Sequence, residues 1–251
     1  MKNKDTYLIV DADSLVYSAV TCKKDESKDG YVHDTGVAIE KFDNSFQEII
    51  NLLWENNGIN VTHFCFIIGG SDNFRKILSP SYKANRPPSP PLRGFLSSYI
   101  ESEYNAYRAH SSEADDVIVA THKKLIAEGK DVVIAANDKD IKQIPCKFFD
   151  YFYQRKMLVV VDEKEARYNF YGQLLIGDKT DNINGIEGYG KAKPPKLFKG
   201  CVSDYSYLRV CFTEYKKKYK QKAREKLIET YTLVKLRDNV ETPTEINFNE
   251  I

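Results

Sequence analysis

The sequence lacks any run of eighteen apolar residues, and its N-terminus, Met1 to Asp5, is polar and carries no apolar leader. It therefore predicts neither a membrane span nor a secretory signal. The five cysteines are scattered and form no CxxC pair. This spacing argues against a disulfide framework or a zinc site, and it favours a reducing, cytoplasmic location.

A strong excess of one charge is also lacking, since the net charge is only +1, and the four histidines form no HxH or HExxH motif. The charges are nevertheless segregated. Between Lys191 and Lys226 there are twelve Lys and Arg residues against three Asp and Glu residues. A basic arm beside an acidic centre suits a protein that holds a polyanion and also binds cations.

Apolar runs alternate with segments of helical periodicity along most of the chain. The runs predict buried strands at 7–10, 61–68, 131–136 and 147–151, and the periodicity predicts helices at 37–57, 92–107 and 112–128. Residues 12–36 are polar and predict a loop or hairpin, and the RPPSPP run at 86–91 excludes a helix or a central strand. This alternation predicts an α/β fold with a mostly parallel sheet flanked by helices.

Acidic residues form four clusters: Asp11 with Asp13; Glu113 with Asp115 and Asp116; Asp138 with Asp140; and Asp178 with Asp181. Each cluster alone could be a helix cap or a surface turn. The combination favours a functional site, because Asp11 and Asp138 follow apolar strands, where parallel sheets bind ligands. Converging carboxylates need cations, and oxygen ligands suit Mg²⁺ or Mn²⁺, with two ions expected for phosphodiester hydrolysis.

Cationic and aromatic residues precede the proline run, and a glycine-rich turn follows the last acidic pair. The first group contains Arg75, Tyr82, Lys83 and Arg86, which could hold phosphates and bases or could form a solvated loop. The second contains Gly185, Gly188, Gly190, Lys191 and Lys193. Glycines at a helix start allow backbone N–H groups to approach a phosphate.

Five stretches together resemble the 5′-nuclease (flap endonuclease-like) family, which includes phage 5′→3′ exonucleases and the 5′-nuclease domain of bacterial DNA polymerase I. They are YLIVDADSLVY at 7–17, NFRKILSPSYKANRPP at 73–88, SSEADDVIV at 111–119, VVIAANDKDIKQI at 132–144 and LIGDKTDNINGIEGYGKAK at 175–193. The resemblance implies a PIN-like catalytic core at 1–171, with an arch segment at about 87–110. It also implies a helix-three-turn-helix DNA-binding module and a C-terminal helical region at 172–251.

The resemblance also assigns roles to individual residues. It implies Lys83 and Arg86 as catalytic residues at the scissile phosphate. It implies metal ligands at Asp11, Glu113, Asp115, Asp116, Asp138, Asp140, Asp178 and Asp181, with Asp13 and Asp72 as further candidates. It implies DNA contacts at Arg75, Tyr82, Gly185, Gly188, Gly190, Lys191 and Lys193, and a K⁺ ion at the Gly185–Lys193 turn.

The family pattern is broken at the end of the second strand, where members usually have an aspartate. Here the chain reads Gly69-Gly70-Ser71, and the nearest acid is Asp72. The expected function is a metal-dependent 5′→3′ exonuclease or flap endonuclease in phage or bacterial DNA replication, primer removal or recombination. It would act as a cytoplasmic monomer on 5′ ends, flaps, nicks or RNA–DNA hybrids. A PIN-type ribonuclease and a non-catalytic, structure-specific DNA-binding protein are the alternatives.

Overall fold

The sheet is built around central strands whose apolar side chains are buried on both faces. A computed structural model describes residues 5–23, 27–151, 156–240, 242 and 248–251. The strands are β1 Thr6–Asp11, β2 Val61–Ile68, β3 Tyr107–Arg108, β4 Asp131–Ala136, β5 Cys146–Asp150, β6 Met157–Val161, β7 Gly177–Asp178, β8 Ile183–Asn184 and β9 Asn249–Glu250. The main sheet has the order β3-β2-β1-β4-β5-β6, and β9 pairs with β2. The pairings among β1 to β5 are parallel, whereas β6 and β9 pair antiparallel.

Helices cover both faces of this sheet and form a separate cluster behind it. They are α1 Ala12–Ala19, α2 Thr35–Asn57, α3 Phe74–Leu78, α4 Arg93–Tyr104, α5 Ala114–Ala127, α6 Glu163–Ile176, α7 Pro194–Leu197, α8 Asp204–Tyr219 and α9 Ala223–Val234. Two short 3₁₀ turns lie at Lys139–Gln143 and Lys220–Lys222. The expected α/β fold with a mostly parallel sheet flanked by helices is confirmed. No helix of the described residues is long and apolar enough to cross a membrane.

Three apolar clusters divide the interior. Successive side chains of a strand point to opposite faces, so Leu8 and Val10 join the cluster under α1, α2 and α4, whereas Ile9 joins the cluster under α5. The third cluster unites α6, α8 and α9 and also includes Tyr82. The expected division at 171/172 falls within α6, whose Phe170 and Leu174 belong to this third cluster.

Part of one expected loop is a helix, and the limits of the expected helices shift by up to three residues. Residues 12–19 form α1, because Ala12, Leu15, Val16 and Ala19 bury one side of the turn against the sheet. The predicted loop was therefore wrong there. Helix α4 ends at Tyr104 rather than Tyr107, since Asn105 adopts a left-handed conformation with φ 50°.

Candidate active site

The acidic clusters converge at the edge of the sheet where the parallel strands end. Asp11 is the last residue of β1, and Asp138 follows β4 by two residues. Helix α5 begins at the same edge, with Glu113 as its N-cap residue and Asp115 in its first turn. The carboxyl ends of parallel strands meet at one edge, so residues distant in sequence become neighbours.

The inner carboxylates raise one another's pKa values. Burial and the charges of Asp13 and Asp138 raise the pKa of Asp11 to about 7. Burial, Asp138 and Asp11 hold the pKa of Asp115 well above its usual value. Burial also raises the pKa of Asp138. Asp115 accepts no hydrogen bond from any described residue. Such a group of buried carboxylates has less counter-charge than full ionisation requires.

A second part of the site joins Asp140 to Asp178 through Gln173. The Gln173 amide donates to both oxygens of Asp140 at 3.1 Å and to Asp178 at 3.2 Å. Burial and the Asp138 charge raise the pKa of Asp140 to about 7. Burial opposes ionisation of Asp178, but Lys139, at 2.6 Å, lowers its pKa below the usual value. Gln173 was not predicted from the sequence.

Tyr82, Lys83 and Arg86 line one side of the acidic edge. The Lys83 ammonium pairs with Glu113 and lies 3.5 Å from Asp181. Arg86, which is half exposed, donates to Asp181 at 2.9 Å. Burial alone would lower the pKa of Lys83, but Glu113 and Asp181 raise it, so the ammonium remains protonated at neutral pH.

Two residues expected to contact DNA lie inside the protein. Tyr82 is 4% exposed, and its hydroxyl donates to Glu113 at 2.7 Å and to Asp181 at 3.1 Å. Arg75 is 1% exposed and donates twice to Asp116, at 2.6 and 2.8 Å. The arrangement therefore gives both side chains internal partners instead of a surface position.

The expected ligand Asp116 has hydrogen-bond partners inside the protein. Besides Arg75, it accepts from the backbone N–H groups of Glu113 at 3.0 Å and Arg237 at 2.8 Å. Arg75 also donates to the carbonyls of Leu233 and Lys235 at 2.9 Å each. The Arg75–Asp116 pair thus joins the start of α5, which borders the acidic site, to the segment after α9.

The two further candidate ligands have different surroundings. Asp13 lies at the edge of the site, where it accepts from the Gly69 N–H at 2.8 Å and from Arg93 at 3.0 Å. Asp72 lies on the surface and accepts from the N–H and hydroxyl of Ser111 at 2.7 and 3.0 Å. The structure brings Asp13 to the acidic group and leaves Asp72 in a surface turn. The role of Arg93 had no signal in the sequence.

The donor chemistry of this edge fits divalent cations. The carboxylates outnumber the basic side chains that reach them, and none of the residues that the structure describes donates a hydrogen bond to Asp115. The buried amide oxygen of Asn137, next to Asp138, also has no partner among the described residues. Oxygen-only donors with unmet negative charge suit Mg²⁺ or Mn²⁺. As the described side chains are placed, no group of three or more Asp, Glu, His or Cys residues is arranged so that it could hold a metal ion. Lysines and arginines pair with several of the carboxylates.

The Gly185–Lys193 turn begins directly after β8. Gly185 is required by close packing, since a Cβ there would lie 2.2 Å from the carbonyl carbon of Ile176. Gly188 has φ +81°, and a Cβ at Gly190 would meet no atom within 4 Å. Packing therefore does not require glycine at 190, and the backbone of this outer part of the turn is open to a ligand.

The fold and the acidic edge together define a PIN-like α/β protein. T5 5′-exonuclease with bound zinc superposes with a TM-score of 0.57 at 18% identity, covering 91% of this chain and 86% of that chain. The catalytic core of Rad2 in complex with DNA superposes with a TM-score of 0.56 at 13% identity, covering 97% and 82%. At these identities the likeness shows the fold, and the expected PIN-like architecture is confirmed.

Sequence comparison then gives the family. The family model described as 5′-3′ exonuclease, N-terminal resolvase-like domain, matches residues 6–172. Flap endonuclease Xni of Shewanella sediminis is 31% identical over 210 residues, which are 75% of this chain and 79% of that protein. The chain belongs to the 5′-3′ exonuclease family, a family of nucleases, and the resemblance expected from the sequence is confirmed.

Other relatives differ in how much of their length is matched. Flap endonuclease Xni of Shewanella frigidimarina is 34% identical over 143 residues, 51% of this chain and 55% of that protein. DNA polymerase I of Bacillus subtilis is 26% identical over 245 residues, 90% of this chain and 27% of that protein. The chain thus spans about half of the first of these relatives and about a quarter of the second.

Proposed function

We propose that the chain hydrolyses phosphodiester bonds of DNA at or near 5′ ends with divalent cations, as a 5′→3′ exonuclease or flap endonuclease. The observation that carries this proposal is the convergence of the acidic side chains beside Lys83 and Arg86 at one sheet edge. The flap endonuclease and DNA polymerase I relatives support the choice of DNA and of a role in DNA replication.

The basic side chains at this edge are placed to bind a phosphate group. Lys83 is held protonated by Glu113 and Asp181, so it can donate to a phosphate oxygen throughout the neutral pH range. Arg86 is half exposed and can donate beside it. Bound Mg²⁺ or Mn²⁺ would make water more acidic and stabilise charge on the phosphate oxygens. Asp11, Asp115 and Asp138 would hold such ions, with Asp140 and Asp178 on the far side.

The duplex would be held by the second half of the chain, at the proposed helix-three-turn-helix module. The outer turn offers open backbone at Gly188 and Gly190, and Lys191 and Lys193 beside it are exposed. Backbone N–H groups and lysines are the usual phosphate donors. A K⁺ ion bound by this turn, and the division of the chain at 171/172, are parts of the same proposal.

The 5′ strand would approach beneath the proline-rich segment. A cleft of about 870 Å³ lies there, lined by Arg86 and Arg93 on the arch side and by Tyr17 and Ser18 of α1 on the other. Two arginines and an aromatic ring suit a single strand of nucleic acid. This cleft opens beside Asp13, so a strand that entered it would meet the acidic edge.

The test compares cleavage of a 5′-labelled flap duplex by the wild type, Asp138→Asn and Asp131→Asn, with Mg²⁺ or with EDTA. Asp131 is a matched control, because it begins the same strand at the opposite edge and pairs with Lys147. We expect cleavage by the wild type and Asp131→Asn, and none by Asp138→Asn or with EDTA. Product sizes separate exonuclease from flap cleavage.

The same assay addresses the alternatives. Cleavage of RNA without cleavage of DNA would replace the proposal with a PIN-type ribonuclease, and an RNA–DNA hybrid substrate tests primer removal. Duplex binding without cleavage of any substrate, under Mg²⁺ or Mn²⁺, would instead indicate a structure-specific DNA-binding protein. The open Gly188–Gly190 backbone favours a duplex-binding enzyme over the ribonuclease.

A further inference from the structure

Asp13 brings a carboxylate to the end of β2, a strand that has no acid of its own at that end. Its Oδ2 accepts from the Gly69 N–H at 2.8 Å, directly after β2, and its charge acts on Asp11 at the end of β1. The side chain is 29% exposed, so it faces the site and still reaches solvent. One side chain therefore spans the ends of two neighbouring strands.

The space for this carboxylate exists because residue 69 is glycine. A Cβ at Gly69 would lie 2.6 Å from Asp13 Oδ2, closer than real contacts allow, so the carboxylate would have to shift from this position. The backbone does not require glycine at 69, since its φ is not in the left-handed region. Gly70 differs, because a Cβ there would lie 2.1 Å from the Ala109 carbonyl oxygen. Gly69 and Asp13 thus fit each other as a pair.

Arg93 provides the second contact of Asp13, and this contact is exchangeable. Its guanidinium is 3.0 Å from Asp13 Oδ1 and 40% exposed, and exposed ion pairs are weak. Arg93 is the first residue of α4, and both residues line the cleft together with Asn137. The buried Asn137 amide oxygen has no partner among the described residues. Asp13 and Asn137 therefore place two oxygen donors at this cleft, where Arg93 is the basic side chain that pairs with Asp13.

From this geometry we propose that Asp13 is a cation ligand of the acidic site, admitted by Gly69, and that a cation and Arg93 compete for its carboxylate. The inference rests on the proposed function and deepens it. A cation bound by Asp13 frees the Arg93 side chain at the start of α4. Cation binding is thereby linked to the position of a basic side chain that lines the cleft.

The test measures Mn²⁺ binding to the DNA-free protein by isothermal titration calorimetry, after removal of metals with EDTA. Loss of outer-shell partners typically costs 10- to 100-fold in metal affinity, so loss of a direct ligand in Asp13→Asn is expected to cost at least about tenfold. Asp72→Asn is the matched control, because Asp72 is a surface acid near the end of the same strand, and it should bind Mn²⁺ like the wild type.

Two further variants separate a ligand from a structural residue. Asp13→Ala combined with Gly69→Asp moves the carboxylate into the vacated space and is expected to restore affinity to within about threefold of the wild type, on the same scale of ligand loss. Arg93→Gln is expected to tighten binding by about two- to fivefold, the range of an exposed ion pair. That gain should vanish in the Asp13→Asn background, whereas a general charge effect would persist. Circular dichroism checks that each variant is folded.

Unchanged Mn²⁺ affinity in folded Asp13→Asn, or loss of affinity in Asp72→Asn instead, overturns this inference. A gain from Arg93→Gln that persists without Asp13 also overturns it. Cleavage of the flap duplex by the wild type is measured in parallel. If the wild type cuts and Asp13→Asn binds Mn²⁺ normally, only the inference fails. If the wild type cuts no substrate, the proposed function fails whatever the binding isotherms give.

Discussion

Replacement of Arg75 by methionine is expected to destabilise the protein strongly. The guanidinium is 1% exposed and satisfies both oxygens of Asp116, which is fully buried, and the carbonyls of Leu233 and Lys235. Removal of one partner of a buried ion pair costs about 3–5 kcal/mol, because the remaining charge is left unpaired. For a chain of this size the melting temperature should fall by roughly 6–20 °C.

Urea unfolding followed by circular dichroism measures this cost, with Arg108→Met as the control. Arg108 also forms a two-pronged pair with a carboxylate, Glu101, but both side chains are about a third exposed. Solvent screening limits that pair to about 1 kcal/mol or less. Equal and small losses in the two variants would refute the view that the Arg75–Asp116 pair joins α5 to the segment after α9.

Three other predictions concern protonation and the glycine turn. Asp11 and Asp140 have pKa values raised to about 7, so the folded state keeps protons that the unfolded state loses. In EDTA, their contribution to the free energy of unfolding is therefore full below about pH 4 and is lost as the pH rises through 7. Asp140→Asn should make this decline with pH less steep, and an unchanged slope would contradict the raised pKa of Asp140. Stabilisation by Mg²⁺, read as a melting-temperature increase, should grow over the same interval, and a constant increase from pH 5 to 8 would count against carboxylate ligands. Gly185→Ala should cost about 1–3 kcal/mol or more in urea unfolding because of overpacking, whereas Gly190→Ala should stay within about 0.5 kcal/mol; equal costs would refute the packing argument.

The fold was predictable where long apolar runs lie between clear stop signals. The β2 and β4 strands match their predicted limits, and α2 ends at Asn57 as predicted, with the next residue, Gly58, in a left-handed conformation. Helix α1 escaped prediction because it is one short amphipathic stretch in a polar segment. Its formation depends on burial against the sheet, and a single sequence does not show such tertiary contacts.

The meeting of Asp11 and Asp138 at one edge could be predicted, because both come at or just after the ends of parallel strands. Which acidic side chain faces the edge and which one pairs with a buried basic residue could not be predicted. Asp115 and Asp116 are adjacent in sequence, yet one faces the acidic edge and the other a buried arginine from α3. Gln173 and Arg93 reach the site through contacts over 33 and 80 residues of sequence. The spacing of residues in the sequence does not reveal such long-range contacts.

The short β7–β8 ribbon connects two parts of the protein that would perform different tasks. Its first strand ends at Asp178 of the acidic site, and the Gly185 turn begins where its second strand ends. Gly177 packs closely against Gly185 in this ribbon, with no room for even a methyl group between them. The ribbon would then set the distance between the proposed duplex contact and the proposed cleavage position, and the protein would measure its cutting point from the duplex.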